Sequence, residues 1–453
     1  MDKDEIILAD SVSLESSDAG KTRPNNNAII EGASGSGKSY SVLDPNIIKT
    51  NIASIIVSYN KWAEAWKMAK YKCSKGYTVY VCDLVHPELS TGIIDPLRYL
   101  TTFLDVETIA KSIVMADPDS KNAKDIYWNN GAIALLKALI LLALMIIDNA
   151  TTKDVLDLFD SLLIEEDGKG IKTSLDEIFE EVEMRWGKCP AVTAYADYQQ
   201  LPYTTAGCIR DSLAKAIQRI FPEPIRQMMG KDNLIDFEEL ATRKTMFMII
   251  TSPVNTSLYL FANLVFEISI KQLLEFAERC DGQRLPRPVR LMFDDFACGA
   301  RINDFSRHIS IFRSAGISAM ILLQSESQLR QMYSEAESEN IINNCSVYVY
   351  LSGGMDLVTC RHISQRLDVP LTDILYAPIG QVLVMQSGRK PIWAKRYDIF
   401  NSKEYKEYLE IIEKSERKSD NEQTRKIRRR TTKNLLQRYH GRHKVNDQHK
   451  ENG

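Results

Sequence analysis

The stretch "EGASGSGKSY", Glu31 to Tyr40, constrains the fold of this chain more than any other. From Gly32 to Ser39 it fits G-x-x-x-x-G-K-[ST] at every fixed position. The physics selects each residue type. Glycines let the backbone wrap with its N–H groups pointing inward at phosphate oxygens. Lys38 brings a point charge to the β- and γ-phosphates, and the Ser39 hydroxyl can ligate Mg2+. A helix starting at the loop adds partial positive charge. The motif needs a strand before it and a helix after it. "AII" (Ala28 to Ile30) supplies the strand, and "SYSVLDPNIIK" supplies a helix that Pro45 should bend or end. The expected ligands are ATP and Mg2+, bound by Gly32, Ser34, Gly35, Ser36, Gly37, Lys38, Ser39 and Tyr40. Upstream, Gly20-Lys21-Thr22 imitates the end of the motif, but Glu15 stands where its first glycine should be and no strand precedes it. It reads as an exposed loop.

Such a loop belongs to α/β architecture, and the pattern along the chain agrees. "IASIIVS" (Ile52 to Ser58) and "YTVYVCD" (Tyr77 to Asp83) are β-branched runs separated by helical segments. Between about residues 106 and 237 apolar residues recur at three and four, as in an all-helical insertion. Four further strands follow: "TMFMIIT" (Thr245 to Thr251), "VRLMFDD" (Val289 to Asp295), "ISAMILLQ" (Ile317 to Gln324) and "SVYVYLS" (Ser346 to Ser352). "GQVLVMQSGRKPIWAKRY" reads as a hairpin turning at Ser387-Gly388. The expected organisation is an extension over 1–26, a nucleotide-binding domain split into 27–105 and 238–412, an inserted all-α domain over 106–237 and a tail over 413–453. Strand–helix alternation makes the sheet mainly parallel.

Composition adds two points. The chain of 453 residues carries a net charge of −3, but from Lys414 onward thirteen Lys and Arg face five Asp and Glu, so an acidic body ends in a basic, poorly ordered tail. That tail, with Arg428-Arg429-Arg430, reads either as a solvated extension or as a phosphate-neutralising contact to DNA. The eight cysteines form no C-x-x-C pair, which fits a reducing compartment and excludes a dense disulfide framework. "GAIALLKALILLALMIID" (Gly131 to Asp148) is short for a membrane span and contains Lys137, so it reads as a buried helix.

Hydrolysis needs a carboxylate to support the metal and a group to orient water. "VRLMFDDFA" offers an apolar strand ending in paired acids, with Asp294 for Mg2+ beside Ser39 and Asp295 for the water; the bland alternative is two exposed acids at a strand end. Gln324 ends the next strand, where a polar side chain could sense the γ-phosphate, whereas Gln328 reads as helix surface. Arg313 is either a surface charge or an arginine finger for a neighbouring subunit. His86, His308 and His362 are scattered and form no catalytic pattern.

Taken in order, "PNNNAIIEGASGSGKSYSVLDPNIIKTNIASIIVS", "GYTVYVCDL", "DPLRYL", "VRLMFDDFACGARINDFSRHISIFRSAGISAMILLQSESQLRQMY" and "INNCSVYVYLSGG" resemble the TraG/TraD-like type IV secretion coupling proteins over roughly residues 24–400. The resemblance implies a RecA-like motor with an all-α domain, assembled as a homo-oligomeric ring, a hexamer, at the cytoplasmic face of a secretion channel. It also implies ATP-driven delivery of single-stranded or relaxase-bound DNA to channel proteins, and roles for Gln324 and for Arg313 in trans. Three departures stand out. No N-terminal membrane helices are evident, so the expectation is attachment to the inner face of the membrane through a partner, or else a soluble variant or a truncated gene. The second acid is Asp295 where the family usually has Glu, which should weaken hydrolysis. Tyr59-Asn60-Lys61-Trp62-Ala63 replaces a common Asp-Pro-Lys-Gly-Glu segment, keeping only the lysine. The alternatives are a nucleotide-binding adaptor with little turnover and another RecA-like DNA pump of the FtsK/HerA sort.

Overall fold

The computed structural model describes residues 4–15, 24–116, 126–166, 171–296, 301–353 and 357–416. Gly20-Lys21-Thr22, Cys298 and the tail from Arg417 onward, with Arg428-Arg429-Arg430, lie outside these residues. The chain divides into one unit over Met1–Ile399 and a second over Phe400–Gly453. The described part of the second is a helix over 403–416, whose Tyr405 and Tyr408 rings stack 5.3 Å apart.

The first unit is built on one sheet. A hairpin, β1 (Glu5–Ala9) and β2 (Val12–Glu15), precedes the first core strands, β3 (Ala28–Glu31), β4 (Ser54–Tyr59) and β5 (Thr78–Asp83). Helices α1 (Asp44–Lys49) and α2 (Trp62–Ser74) connect them. The insertion then runs through α3 (Phe103–Val114), α4 (Ile126–Ile146), α5 (Thr152–Ser161), the short hairpin β6 (Ile164–Glu166) and β7 (Ile171–Thr173), α6 (Asp176–Trp186), α7 (Pro190–Gln199), α8 (Tyr203–Ile220), α9 (Glu223–Arg226) and α10 (Phe237–Thr242). The core resumes with β8 (Thr245–Ile250), α11 (Leu258–Arg279), β9 (Val289–Phe293), α12 (Phe305–Ala315), β10 (Ile317–Leu323), α13 (Glu326–Met332), α14 (Glu335–Asn343) and β11 (Val347–Leu351). It closes with α15 (Leu357–Leu367), α16 (Leu371–Leu375), β12 (Gln381–Gln386) and β13 (Ile392–Lys395).

Nine strands lie in the order β13-β12-β11-β3-β10-β9-β4-β8-β5, parallel from β11 to β5 and antiparallel at β12 and β13. Helices cover the parallel part, so β3, β4, β8, β9 and β11 are buried at every residue. Burial on both faces is why these strands read as continuous apolar runs rather than alternations. The chain leaves β3 for β4, three places away, and only some 230 residues later fills the gap with β9 and β10. Ligands bind outside the carboxyl ends of a parallel sheet where strand order reverses. That places the ends of β3, β10, β9 and β4 at the crevice.

Three local results go beyond the sequence pattern. The N-terminal segment forms a hairpin because Ile6, Ile7, Leu8 and Ala9 are all buried, which removes the alternation that would reveal a strand. Asn46 clamps that hairpin, accepting from the Ile7 N–H at 2.9 Å and donating to the Ile7 carbonyl at 2.8 Å. Pro45 neither ends nor breaks its helix. Ser39–Leu43 forms a widened turn in which the Asp44 N–H reaches the Ser39 carbonyl, and α1 follows directly with Pro45 in its first turn, where no N–H is required.

Helix α4 is the one among the described residues long and apolar enough to cross a membrane. Its Ala132, Leu135, Leu136, Leu139, Leu142 and Ala143 are buried, and the helix packs against α3, α5, α7 and α8.

At the amino-terminal ends of β4 and β9, opposite the crevice, Asp4 closes a buried polar corner. Its carboxylate accepts from the Asn51, Ile52 and Ala53 N–H groups, at 2.8 Å from the first and last, and faces the buried Arg290 guanidinium at 3.9 Å. Removing one member of a buried ion pair strands the other charge. Asp4→Ala is therefore expected to lower unfolding free energy by about 3 kcal/mol, read as a lower urea midpoint with an unchanged slope.

Candidate nucleotide site

The cradle starts where β3 ends. Gly35 and Gly37 have φ of +77° and +93°, and a Cβ on Gly37 would lie 2.6 Å from the Tyr40 ring, so both the turn and the close approach require glycine at 37. Ser34 and Gly35 form the exposed tip, while the Ser36 hydroxyl is buried without a hydrogen-bond partner among the described residues. Lys38 is nearly buried and folds back, its Nζ donating to the Gly32 carbonyl at 2.5 Å and the Ala33 carbonyl at 3.2 Å. Burial holds its pKa below the ordinary lysine value, against the opposing charges of Asp295, Asp294 and Glu31.

Strand register brings the remaining groups to the cradle. In β10, Leu323 pairs with Glu31 of β3, so Gln324 follows beside Gly32, and the Gly32 N–H donates to the Leu323 carbonyl at 3.2 Å. In β9, Phe293 pairs with Ile321 of β10, so the acid pair emerges next to Gln324. The Ser39 hydroxyl donates to Asp294 Oδ1 at 3.1 Å, whereas Asp294 Oδ2 is buried and has no hydrogen-bond partner among the described residues. A hydroxyl and a carboxylate with a spare oxygen are the donors that Mg2+ takes. Burial first, then the charge of Asp295, raises the Asp294 pKa to about 7. Asp295 is half-buried at φ +59°, a left-handed conformation that Asp tolerates. A small cleft beside the pair is lined by Ser58, Thr251, Asn263, Phe296 and Tyr333.

Gln324 is half-buried and accepts a long 3.4 Å contact from the Gln328 amide, so Gln328 faces this corner and is not a purely surface residue. Arg313 does not join the group. It is exposed in the last turn of α12, before β10 begins, whereas the site lies after β10 ends. Seven strand residues separate the two ends by about 20 Å, beyond the reach of an arginine side chain.

Sequence reasoning missed three contributors. Arg396, just after β13, donates to the Ser36 carbonyl at 2.8 Å and lies 4.9 Å from the Tyr40 ring centroid. Asn60, just after β4, donates to Asp295 Oδ2 at 2.8 Å. Glu31, fully buried at the root of the loop, accepts from the Glu326 N–H at 3.0 Å and from the Tyr348 hydroxyl, which also reaches Glu326 at 2.8 Å. Glu326 is held in turn by Arg366 at 2.9 Å and Arg330 at 3.0 Å. Only the position of Glu31, ending an apolar strand next to the motif, could have drawn attention to it. The partners of Arg396 and Asn60 come from strands far apart in sequence.

Residues 2–368 match the family described as type IV secretory system conjugative DNA transfer. Among solved structures, the plasmid coupling protein TrwB in complex with the non-hydrolysable ATP analogue ADPNP is similar with a TM-score of 0.61 at 17% identity, covering 82% of this chain and 84% of that one. TrwB in complex with ADP and Mg2+ gives 0.59 at 16% identity, covering 82% and 85%. VirB4 of Thermoanaerobacter pseudethanolicus gives 0.52 at 13% identity, covering 88% and 97%. At these identities the likeness is one of fold, the RecA-like arrangement of a mainly parallel sheet. No curated protein matches the sequence.

The cluster under the cradle carries a pH signature. Burial raises the Glu31 pKa to about 7; the Tyr348 hydrogen bond opposes the shift and the Glu326 charge adds to it. The folded chain therefore holds this proton at pH values where the unfolded chain, near 4.5, has released it. Its contribution to stability falls as pH rises between those two values and is constant above them. Relative to Glu31→Gln, the wild type is expected to lose about 3 kcal/mol between pH ~4.5 and ~8, measured by urea unfolding in nucleotide-free buffer.

Proposed function

The chain belongs to the type IV secretory system family of conjugative DNA transfer, and on that premise we propose that it is an ATP-driven coupling protein that moves DNA, single-stranded or bound to a relaxase, to a secretion channel. The observation that carries this reading is the convergence of Lys38, Ser39, Asp294, Asp295 and Gln324 at adjoining strand ends.

In the proposed cycle, N–H groups from Gly32 to Ser39 take the phosphates of ATP. Lys38 exchanges the Gly32 and Ala33 carbonyls for phosphate oxygens. Tyr40, stacked with Arg396, borders the cradle. Ser39 and Asp294 Oδ2 would hold Mg2+, which would supply positive charge against the triphosphate. Burial disfavours the charged forms of Lys38 and Asp294, and the charges of Mg2+ and triphosphate would offset both. Asp295 orients the attacking water, one methylene shorter than the family's usual glutamate, so turnover is slow. Gln324 senses the γ-phosphate. Arg313 cannot serve its own cradle and acts on that of the next subunit in a ring, a hexamer, whose channel partners keep it at the cytoplasmic face of the membrane.

Two measurements test this. DNA-stimulated ATP hydrolysis is expected to fall at least about 100-fold in Lys38→Ala and in Asp294→Asn. Equal rates in wild type and Lys38→Ala would sink the motor, and nucleotide binding without turnover would leave an adaptor. Arg313→Ala is expected to retain ATP affinity but lose roughly 1,000-fold in turnover. Mixing it with Lys38→Ala should restore part of the activity, because each subunit then supplies what the other lacks. No restoration on mixing rejects the trans role.

A further inference from the structure

The segment Tyr59–Ala63 departs from the family's pattern, yet it is not idle. In the parallel pair β4–β9, Ser58 stands opposite Phe293. Two residues further on, the same register sets Asn60 beside Asp295. The Asn60 Nδ2 donates to Asp295 Oδ2 at 2.8 Å, and both side chains are half-buried.

The turn bearing Asp295 is held on both flanks. The Asp294 N–H donates to the Ser58 hydroxyl at 3.0 Å, and the Phe296 N–H donates to the Leu322 carbonyl at 2.9 Å. Those bonds fix the backbone, including the left-handed φ of +59° at Asp295. They leave the two side-chain torsions of Asp295 free, and a carboxylate that must present one oxygen to water gains from having the other tied. Asn60 ties it with a neutral donor, which orients the group without placing a cation on it. A lysine or arginine there would compete for the charge that attracts the water proton.

We propose that Asn60 is a positioning residue for hydrolysis, holding Asp295 Oδ2 so that Oδ1 faces the attacking water. The inference rests on the reading of Asp295 as the water-orienting acid. Pre-set geometry of this kind is worth most when the acid is short, because a side chain with little reach has few productive orientations.

The test compares Asn60→Ala, Asn60→Asp and Asn60→Gln with wild type, using the full chain, Mg2+ and DNA. Four readouts are taken: kcat, KM for ATP, the Kd of the non-hydrolysable analogue ADPNP, and the Kd of ADP with aluminium fluoride, a mimic of the transferring phosphoryl group. Asn60→Ala is expected to lower kcat by about 10- to 100-fold while the Kd of ADPNP stays within about twofold. Tight binding of ADP with aluminium fluoride should weaken by a similar factor to kcat. Asn60→Asp, which loses the donor and faces Asp295 with a second carboxylate, should be worse, and Asn60→Gln, which keeps the amide, should recover part of the loss. In an Asp295→Ala background, Asn60→Ala should cost nothing further.

An unchanged kcat in Asn60→Ala overturns the proposal while leaving the motor reading intact. An equal loss in both backgrounds, or a parallel loss of ADPNP affinity, also overturns it, because the effect would then be structural. If wild type and Lys38→Ala turn over alike, the motor reading fails first and this inference falls with it.

Discussion

Four strand ends held in parallel register carry the site. Glu31 aligns with Leu323, Ile321 with Phe293, and Phe293 with Ser58, so the residues that follow each strand emerge side by side. In a sheet the side-chain period is two, and a slip of one residue would turn every inward group to the other face. Here β3, β4 and β9 are buried at every residue, so a slip would disturb close packing on both faces and misplace their buried polar groups, Glu31, Ser58 and Arg290. The chemistry at the crevice is thus placed by hydrophobic packing well below it.

Each strand end is then fixed by a specific polar contact. The Gly32 N–H is tied to β10, the Asp294 N–H to the Ser58 hydroxyl, and the Ser39 hydroxyl to Asp294. Beneath the cradle, Glu31, Tyr348 and Glu326 form a buried cluster that two arginines, Arg330 and Arg366, hold from α13 and α15. Since Glu326 lies two residues past Gln324, this cluster joins the root of the phosphate loop to the turn bearing the glutamine. At the other end of the sheet, Asp4 and Arg290 close a second buried polar corner. Buried polar groups are expensive unless fully paired, so these clusters restrict the strand ends to one arrangement.

Burial dominates the electrostatics of the cradle. Burial pushes Lys38 toward its neutral form and Asp294 toward its protonated form. Both shifts penalise the charged states that a metal–phosphate ligand would favour. Lys38 meanwhile rests on two backbone carbonyls, weak partners that phosphate oxygens can replace. The widened turn at Ser39–Leu43 lets the helix continue past Pro45 and keeps the start of the helix at the loop.

By itself the sequence determined the cradle, the parallel α/β core and most of the strands, because phosphate wrapping needs particular residue types in a row and buried strands need unbroken apolar runs. It also marked Asp294, Asp295 and Gln324, each of which directly ends such a run. Tertiary structure alone decided the rest. The N-terminal hairpin was invisible because burial of Ile6 to Ala9 in a row erases the alternation that signals a strand. Asn60 looked like the loss of a motif until strand pairing set it against Asp295, and Arg396 had no signal at all until the last hairpin brought it 360 residues back to Ser36. The distance of Arg313 from its own cradle likewise follows from the length of β10 and not from any local pattern. Contacts of this kind arise from register between strands far apart in the chain, and no short-range periodicity encodes register.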